Sequence, residues 1–204
     1  MVQHRQQGEP LQVAIAPQLW LWWTLATAIA GAIVGALEAS GFQFLATLVF
    51  TGLFIGTAQW LILRHYTPKS SWWIAVSTLG WIFGLLLSLS LDGILNPIIQ
   101  FLSGLGAWEV FWMNLVSQPV VLAILGAAQL PILGRLVRKA YWWIPVSVLG
   151  GALQGASGSA IAYLIQPGVL SGSFATALAY GSGWLTYGIV TGICLQWLLR
   201  HHPH

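Results

Sequence analysis

Six stretches of about twenty apolar residues run through this chain, and none contains Lys, Arg, Asp or His. They are Leu19–Ala39, Phe42–Leu63, Trp72–Leu91, Trp112–Leu133, Trp142–Ile165 and Ala175–Leu199. A bilayer core of ~30 Å is crossed by about 20 residues of helix, and lipid offers backbone groups no hydrogen bonds outside the helix. The pattern therefore predicts an all-α integral membrane protein with six transmembrane helices. Composition agrees: 57% of residues are hydrophobic and only 5% are charged, too few charges to wet a soluble surface.

The few charges have sides. Arg5, Arg64, Lys69, Arg135, Arg138, Lys139 and Arg200 all fall at one face of this topology, while Glu38, Asp92 and Glu109 fall at the other; Glu9 is the exception. Cytoplasmic loops are enriched in Lys and Arg, so both termini are expected in the cytoplasm. The net charge of +3 is explained by topology and anionic headgroups, and no basic stripe or motif supports a nucleic-acid partner. Residues 1–18 read as a polar cytoplasmic tail without the short apolar core and cleavage site of a signal peptide, and residues 201–204 as a short cytoplasmic tail. Cys194 is the one cysteine, so no disulfide within the chain is available.

Connections are punctuated by Ser40-Gly41 and Pro167-Gly168. The long segment Asp92–Phe111 is expected along the outer interface as an amphipathic helix or a packed loop. The segments at about 19–64, 72–135 and 142–200 repeat one another. Trp23, Trp72 and Trp142 are each followed eight residues later by Gly31, Gly80 and Gly150. Gly52-x3-Gly56-x2-Gln59 closes the second stretch, Gly126-x2-Gln129 the fourth, and Gly188-x3-Gly192 with Gln196 the sixth, where Gln is shifted by one. The reading is three tandem hairpins of one orientation, compatible with a pseudo-threefold bundle or a less symmetric one.

The string Gly-x3-Gly-x2-Gln-Trp-Leu-x-Leu-Arg, a short basic loop, then Trp-Trp-Ile-x2-Ser-x2-Gly, resembles a group of uncharacterised multi-pass membrane proteins common in cyanobacteria. The resemblance covers residues ~50–84 well, ~122–155 moderately and ~188–200 partially. It implies a host membrane, bacterial inner or thylakoid, and an architecture more than an activity.

The candidate residues fall into three groups. Gly31, Gly35, Gly52, Gly56, Gly80, Gly84, Gly188 and Gly192 form Gly-x3-Gly faces for close helix packing, within the chain or between subunits. Gln59, Gln129, Gln154, Gln196, Asn114 and Gln118 are intramembrane amides, expected to bond between helices, line a polar path, or meet a ligand such as a chlorophyll magnesium. Trp81 and Trp184 lie near mid-span, placed to pack inside, line a cavity, or touch a pigment or lipid tail; Glu38 and Glu109 sit at the outer ends. Trp20, Trp22, Trp23, Trp60, Trp72, Trp73, Trp142, Trp143 and Trp197 read as an interfacial anchoring belt.

No catalytic constellation emerges. All five histidines lie in predicted cytoplasmic segments, so no bis-His pair is available for a buried haem, and the three at the C-terminus read as a solvated tail rather than a metal site. Ser157, between Gly155 and Gly158, has no intramembrane His as its base. The first expectation is a non-catalytic subunit or accessory factor of a larger membrane complex, in contact with other subunits, a second copy of itself, chlorophyll, carotenoid or lipid. The second is a passive channel or carrier for a neutral solute or lipid, with the glycines and amides as its path.

Overall fold

The computed structural model describes residues 17–67, 70–106, 108–165 and 172–203. Arg5, Glu9, the tail through residue 16, Lys69 and the Pro167-Gly168 turn lie outside the described residues. The chain is all-helical. Its helices are α1 (Leu19–Leu37), α2 (Gln43–Leu45), α3 (Thr51–Leu63), α4 (Trp72–Ser90), α5 (Asp92–Ser103), α6 (Glu109–Leu133), α7 (Trp143–Leu164) and α8 (Gly172–His201). Four helical segments among the described residues are long and apolar enough to cross a membrane: Leu19–Leu63, Trp72–Ser90, Glu109–Leu133 and Gly172–His201. Helix α7, at 22 residues, is as long but richer in Gly, Ser and Gln.

The first of these four segments is not one rod. Gly41 has φ 96°, a left-handed conformation that costs a side-chain-bearing residue strain, and it reverses the chain. Leu19 at the start of α1 and Leu63 at the end of α3 consequently share one buried cluster. Widened turns, Glu38–Phe42 and Ala46–Phe50, flank the reversal on either side of α2. The Asp92–Phe111 segment contains α5, which leaves only Ile99 buried and packs chiefly on α6.

The long helices form a closed ring in chain order: α1 packs on α3, α3 on α4, α4 on α6, α6 on α7, α7 on α8, and α8 back on α1. Leu19, Leu63, Trp73, Leu133, Trp143 and Leu199 meet in a single cluster, so successive ring helices alternate in direction. That cluster sits at the end bearing Arg64, Arg135, Arg138, Lys139 and Arg200, called the basic end below. A second buried cluster, with Ile55, Trp81, Leu122, Leu125, Trp184 and Tyr187, fills the middle of the ring.

The eight Gly-x3-Gly glycines all lie where another helix of the same chain leaves no room for a side chain. An added Cβ would come 2.6 Å from the Thr176 carbonyl oxygen at Gly35, 2.7 Å from Thr78 Cα at Gly52 and 2.8 Å from Ser77 Cβ at Gly56. At Gly80 it would meet Ala128 Cβ at 2.8 Å, and at Gly84 the Val121 carbonyl oxygen at 2.6 Å. Gly188 faces Thr24 and Gly192 faces Trp20, each at 2.9 Å, while Gly31 is filled by the Trp184 side chain. Gly151, Gly155 and Gly183 bring α6, α7 and α8 together in the same way. At these distances the backbones are in van der Waals contact, and dispersion between them contributes to the packing.

Gly84→Val is expected to destabilise the protein by about 2 kcal/mol or more, because the clash is with backbone rather than a mobile side-chain end. Gly93→Ala, where nothing lies within 4 Å, should leave stability unchanged. Thermal unfolding in detergent, followed by size-exclusion fluorescence, compares the two.

Candidate functional site

Two features lie on the ring axis, a plug and a cavity. The plug is built from one indole of each adjacent Trp pair. Neighbouring residues on a helix point about 100° apart, so a Trp-Trp pair cannot send both rings the same way. Trp23, Trp73 and Trp143 are each 0% exposed, whereas Trp22, Trp72 and Trp142 are 54%, 71% and 45% exposed. The inner three meet edge to face with ring centroids 6.1, 6.0 and 6.2 Å apart. The belt expected from the sequence therefore loses these three to the core, and the inner counterpart of Trp23 is Trp73 and Trp143 rather than Trp72 and Trp142. The register read from the sequence is off by one residue at this point.

The N–H of each of these three inner indoles is satisfied by a neighbouring helix. Trp73 Nε1 donates to Gln59 Oε1 at 3.1 Å, and Trp143 Nε1 to Gln129 Oε1 at 2.8 Å. Gln129 in turn donates through Nε2 to Ser77 Oγ at 2.8 Å and to Gln59 Oε1 at 3.4 Å. Trp23 Nε1 uses Thr191 Oγ1 at 3.0 Å, because Leu195 occupies the position that would match Gln59 and Gln129. The shifted Gln196 instead accepts from the Trp20 backbone N–H at 3.2 Å, occupying an otherwise unpaired donor in the first turn of α1. Gln59, Gln129 and Gln196 thus bond between helices through their oxygens, while Gln59 Nε2 is buried without a partner.

Beyond the middle aromatic layer, at the end opposite the basic loops, the axis opens into a cavity of about 210 Å³. Five ring helices and the widened turn before α3 contribute its wall. Asn114 and Gln118 come from α6, Gln154 and Ser159 from α7, Tyr180 and Trp184 from α8, Trp81 from α4, and Thr47 from the widened turn. Pro119 follows Gln118 inside α6 and cannot donate to the Leu115 carbonyl, which loosens that helix beside the cavity. Trp81 Nε1 donates to the Thr47 carbonyl at 2.7 Å, fixing its ring against Trp184 at a centroid distance of 5.6 Å. The Tyr180 hydroxyl donates to Glu38 Oε2, and Thr47 Oγ1 reaches the same oxygen at 3.5 Å.

Three side-chain polar atoms among the cavity-lining residues are buried without a hydrogen-bond partner: Gln118 Oε1, Gln154 Oε1 and Trp184 Nε1. Buried polar atoms are nearly always bonded, and leaving one unmet costs about 1–3 kcal/mol. Asn114 is different, donating through Nδ2 to the Val110 carbonyl at 2.9 Å. Among the described residues no charged side chain lines the cavity, and no three His, Cys, Asp or Glu side chains gather to hold a metal. The arrangement can therefore hydrogen-bond and stack on an uncharged molecule.

The structure brings together Trp81, Trp184, Gln118, Gln154 and Asn114, with Glu38 held at the rim through Tyr180. Glu109 stands apart, exposed in the first turn of α6, where a carboxylate favours the helix N-terminus. Tyr180, Thr47, Trp108 and Ser159 are further lining residues that the sequence reading did not single out. Tyr180 had a signal: it lies four residues before Trp184, hence on the same helix face. Thr47 had none, because its position depends on a widened turn.

Trp143→Phe is expected to cost about 1–3 kcal/mol by orphaning Gln129 in the core, while Trp142→Phe should cost under about 0.5 kcal/mol. Guanidinium or SDS unfolding monitored by circular dichroism measures the difference. No protein-family model, curated protein or solved structure matches this chain, so the geometry above stands without a named relative.

Proposed function

We propose that this chain is a non-catalytic, six-span membrane protein that holds an uncharged hydrogen-bonding molecule in its axial cavity. Its three tandem hairpins surround a pseudo-threefold axis, with the basic end in the cytoplasm and the cavity toward the exterior. The one observation carrying the binding reading is a cavity of about 210 Å³ whose wall holds the amide-bearing residues Asn114, Gln118 and Gln154 beside Tyr180 and Trp184. A molecule offering both donors and acceptors would pair with these amide side chains. The Trp triad supports the threefold arrangement, and the placement of Arg64, Arg135, Arg138, Lys139 and Arg200 at one end supports the orientation.

The plug argues against free conduction. A passive pore needs a continuous wetted path, and here three indoles in mutual contact close the axis at the basic end. The cavity also argues against chlorophyll as its occupant. At about 210 Å³ it falls below the ~300–1,000 Å³ typical of drug-sized ligands, and a tetrapyrrole is larger still. Service as an accessory subunit in a bacterial inner or thylakoid membrane, which the cyanobacterial resemblance implies, fits a protein that binds without turning over.

Cysteine labelling tests this reading. In a Cys194→Ser background, Ala162→Cys on the cavity wall should react with a membrane-impermeant thiosulfonate added outside intact cells, while Lys139→Cys should not. Labelling of Lys139→Cys from outside, or equal rates at both sites, would overturn the orientation. In proteoliposomes, glycerol entry should stay at the rate of protein-free vesicles.

A further inference from the structure

A second hollow, of about 560 Å³, lies beside the axial cavity and is lined by Trp108, Phe111, Ser159, Ala160, Tyr163 and Leu164. It is a cleft between the first residues of α6 and the last turn of α7. Trp108 and Ser159 line both spaces, so cleft and cavity share a wall. The two differ in chemistry. The cavity carries the amides of Asn114, Gln118 and Gln154 and the hydroxyls of Thr47, Thr51 and Ser159. The cleft is aromatic and aliphatic, with Ser159 at the junction. Tyr163 and Leu164 are exposed on the outside of the ring, where the proposed bilayer begins.

We infer that the site takes an uncharged single-chain amphiphile, with its head group in the axial cavity and its tail leaving through the Trp108–Leu164 cleft into the bilayer. This rests on the binding reading above and adds the class of ligand. The head is neutral because, among the described residues, neither lining contains a charged side chain to compensate a buried ion. The head is polar because the cavity is lined by the amide-bearing Asn114, Gln118 and Gln154 and the hydroxyl-bearing Ser159 and Tyr180. The tail is apolar because the outer end offers rings and methyl groups and joins the lipid-facing surface. A molecule with only one of these halves would leave either the amide-lined cavity or the apolar cleft unfilled.

The test uses the full chain in nanodiscs and radiolabelled 1-monooleoylglycerol as probe, read by scintillation proximity. Saturable binding is expected, displaced by unlabelled monooleoylglycerol but not by oleoyl lysophosphatidate, which shares the chain and carries a charged head. Ala160→Trp, which fills the cleft from its lipid side, should weaken binding about tenfold or more. Leu164→Trp is the second cleft variant should the first fail to fold. The double replacement Gln118→Leu with Gln154→Leu should weaken binding by a similar factor. Equal displacement by the lysophosphatidate, or full binding in both folded cleft variants, overturns the inference. Saturation-transfer NMR with glycerol separates the levels. If glycerol contacts the cavity and monooleoylglycerol does not bind, the amphiphile is wrong and the binding reading stands; if neither binds, both fall.

Discussion

The contact of Trp23, Trp73 and Trp143 on the ring axis is the constraint from which the rest follows. Each ring belongs to the first helix of a hairpin, and each N–H is received by a polar side chain on the last helix of a hairpin. Edge-to-face aromatic pairs add about 0.5–1.5 kcal/mol each beyond simple burial. Their larger effect is on register. Sliding any helix by one residue would carry an inner Trp off the axis and leave Gln59, Gln129 or Thr191 without its donor. On helices that are apolar nearly all round, such polar pairs mark which face turns inward.

The glycines answer the geometric demand that follows. Three indoles occupy the centre of one end, and the helices meet at backbone distance along their length, at Gly192 toward that end and at Gly35, Gly52 and Gly84 farther from it. Toward the other end the axis is occupied by Trp81, Trp184 and Tyr180, then left open.

Much of this was legible in the chain. The absence of charge in long apolar stretches gave the helices, and the Gly-x3-Gly spacing gave the packing faces, because both depend only on local period. Gln59 and Gln129 stood out as recurring amides at one depth. What stayed hidden required knowledge of facing. A Trp-Trp pair at a helix start reads as an interfacial belt, and nothing in Trp72-Trp73 says which ring turns inward. The cavity was visible only in pieces, as Trp81, Trp184, Gln118 and Gln154. Its remaining wall depends on Thr47, placed by a turn with an i to i−5 bond from Thr51 to Ala46 that no residue type announces.

The closure of the ring through α1 and α8 makes the order of the hairpins cyclic. The beginning of α1 and the end of α8 lie side by side at the basic end, as do the junctions between successive hairpins. Joining the former and cutting at one of the latter would yield a rearranged gene whose product has the same neighbours throughout. In a fold with that property the position of the chain ends is a matter of connection rather than of packing.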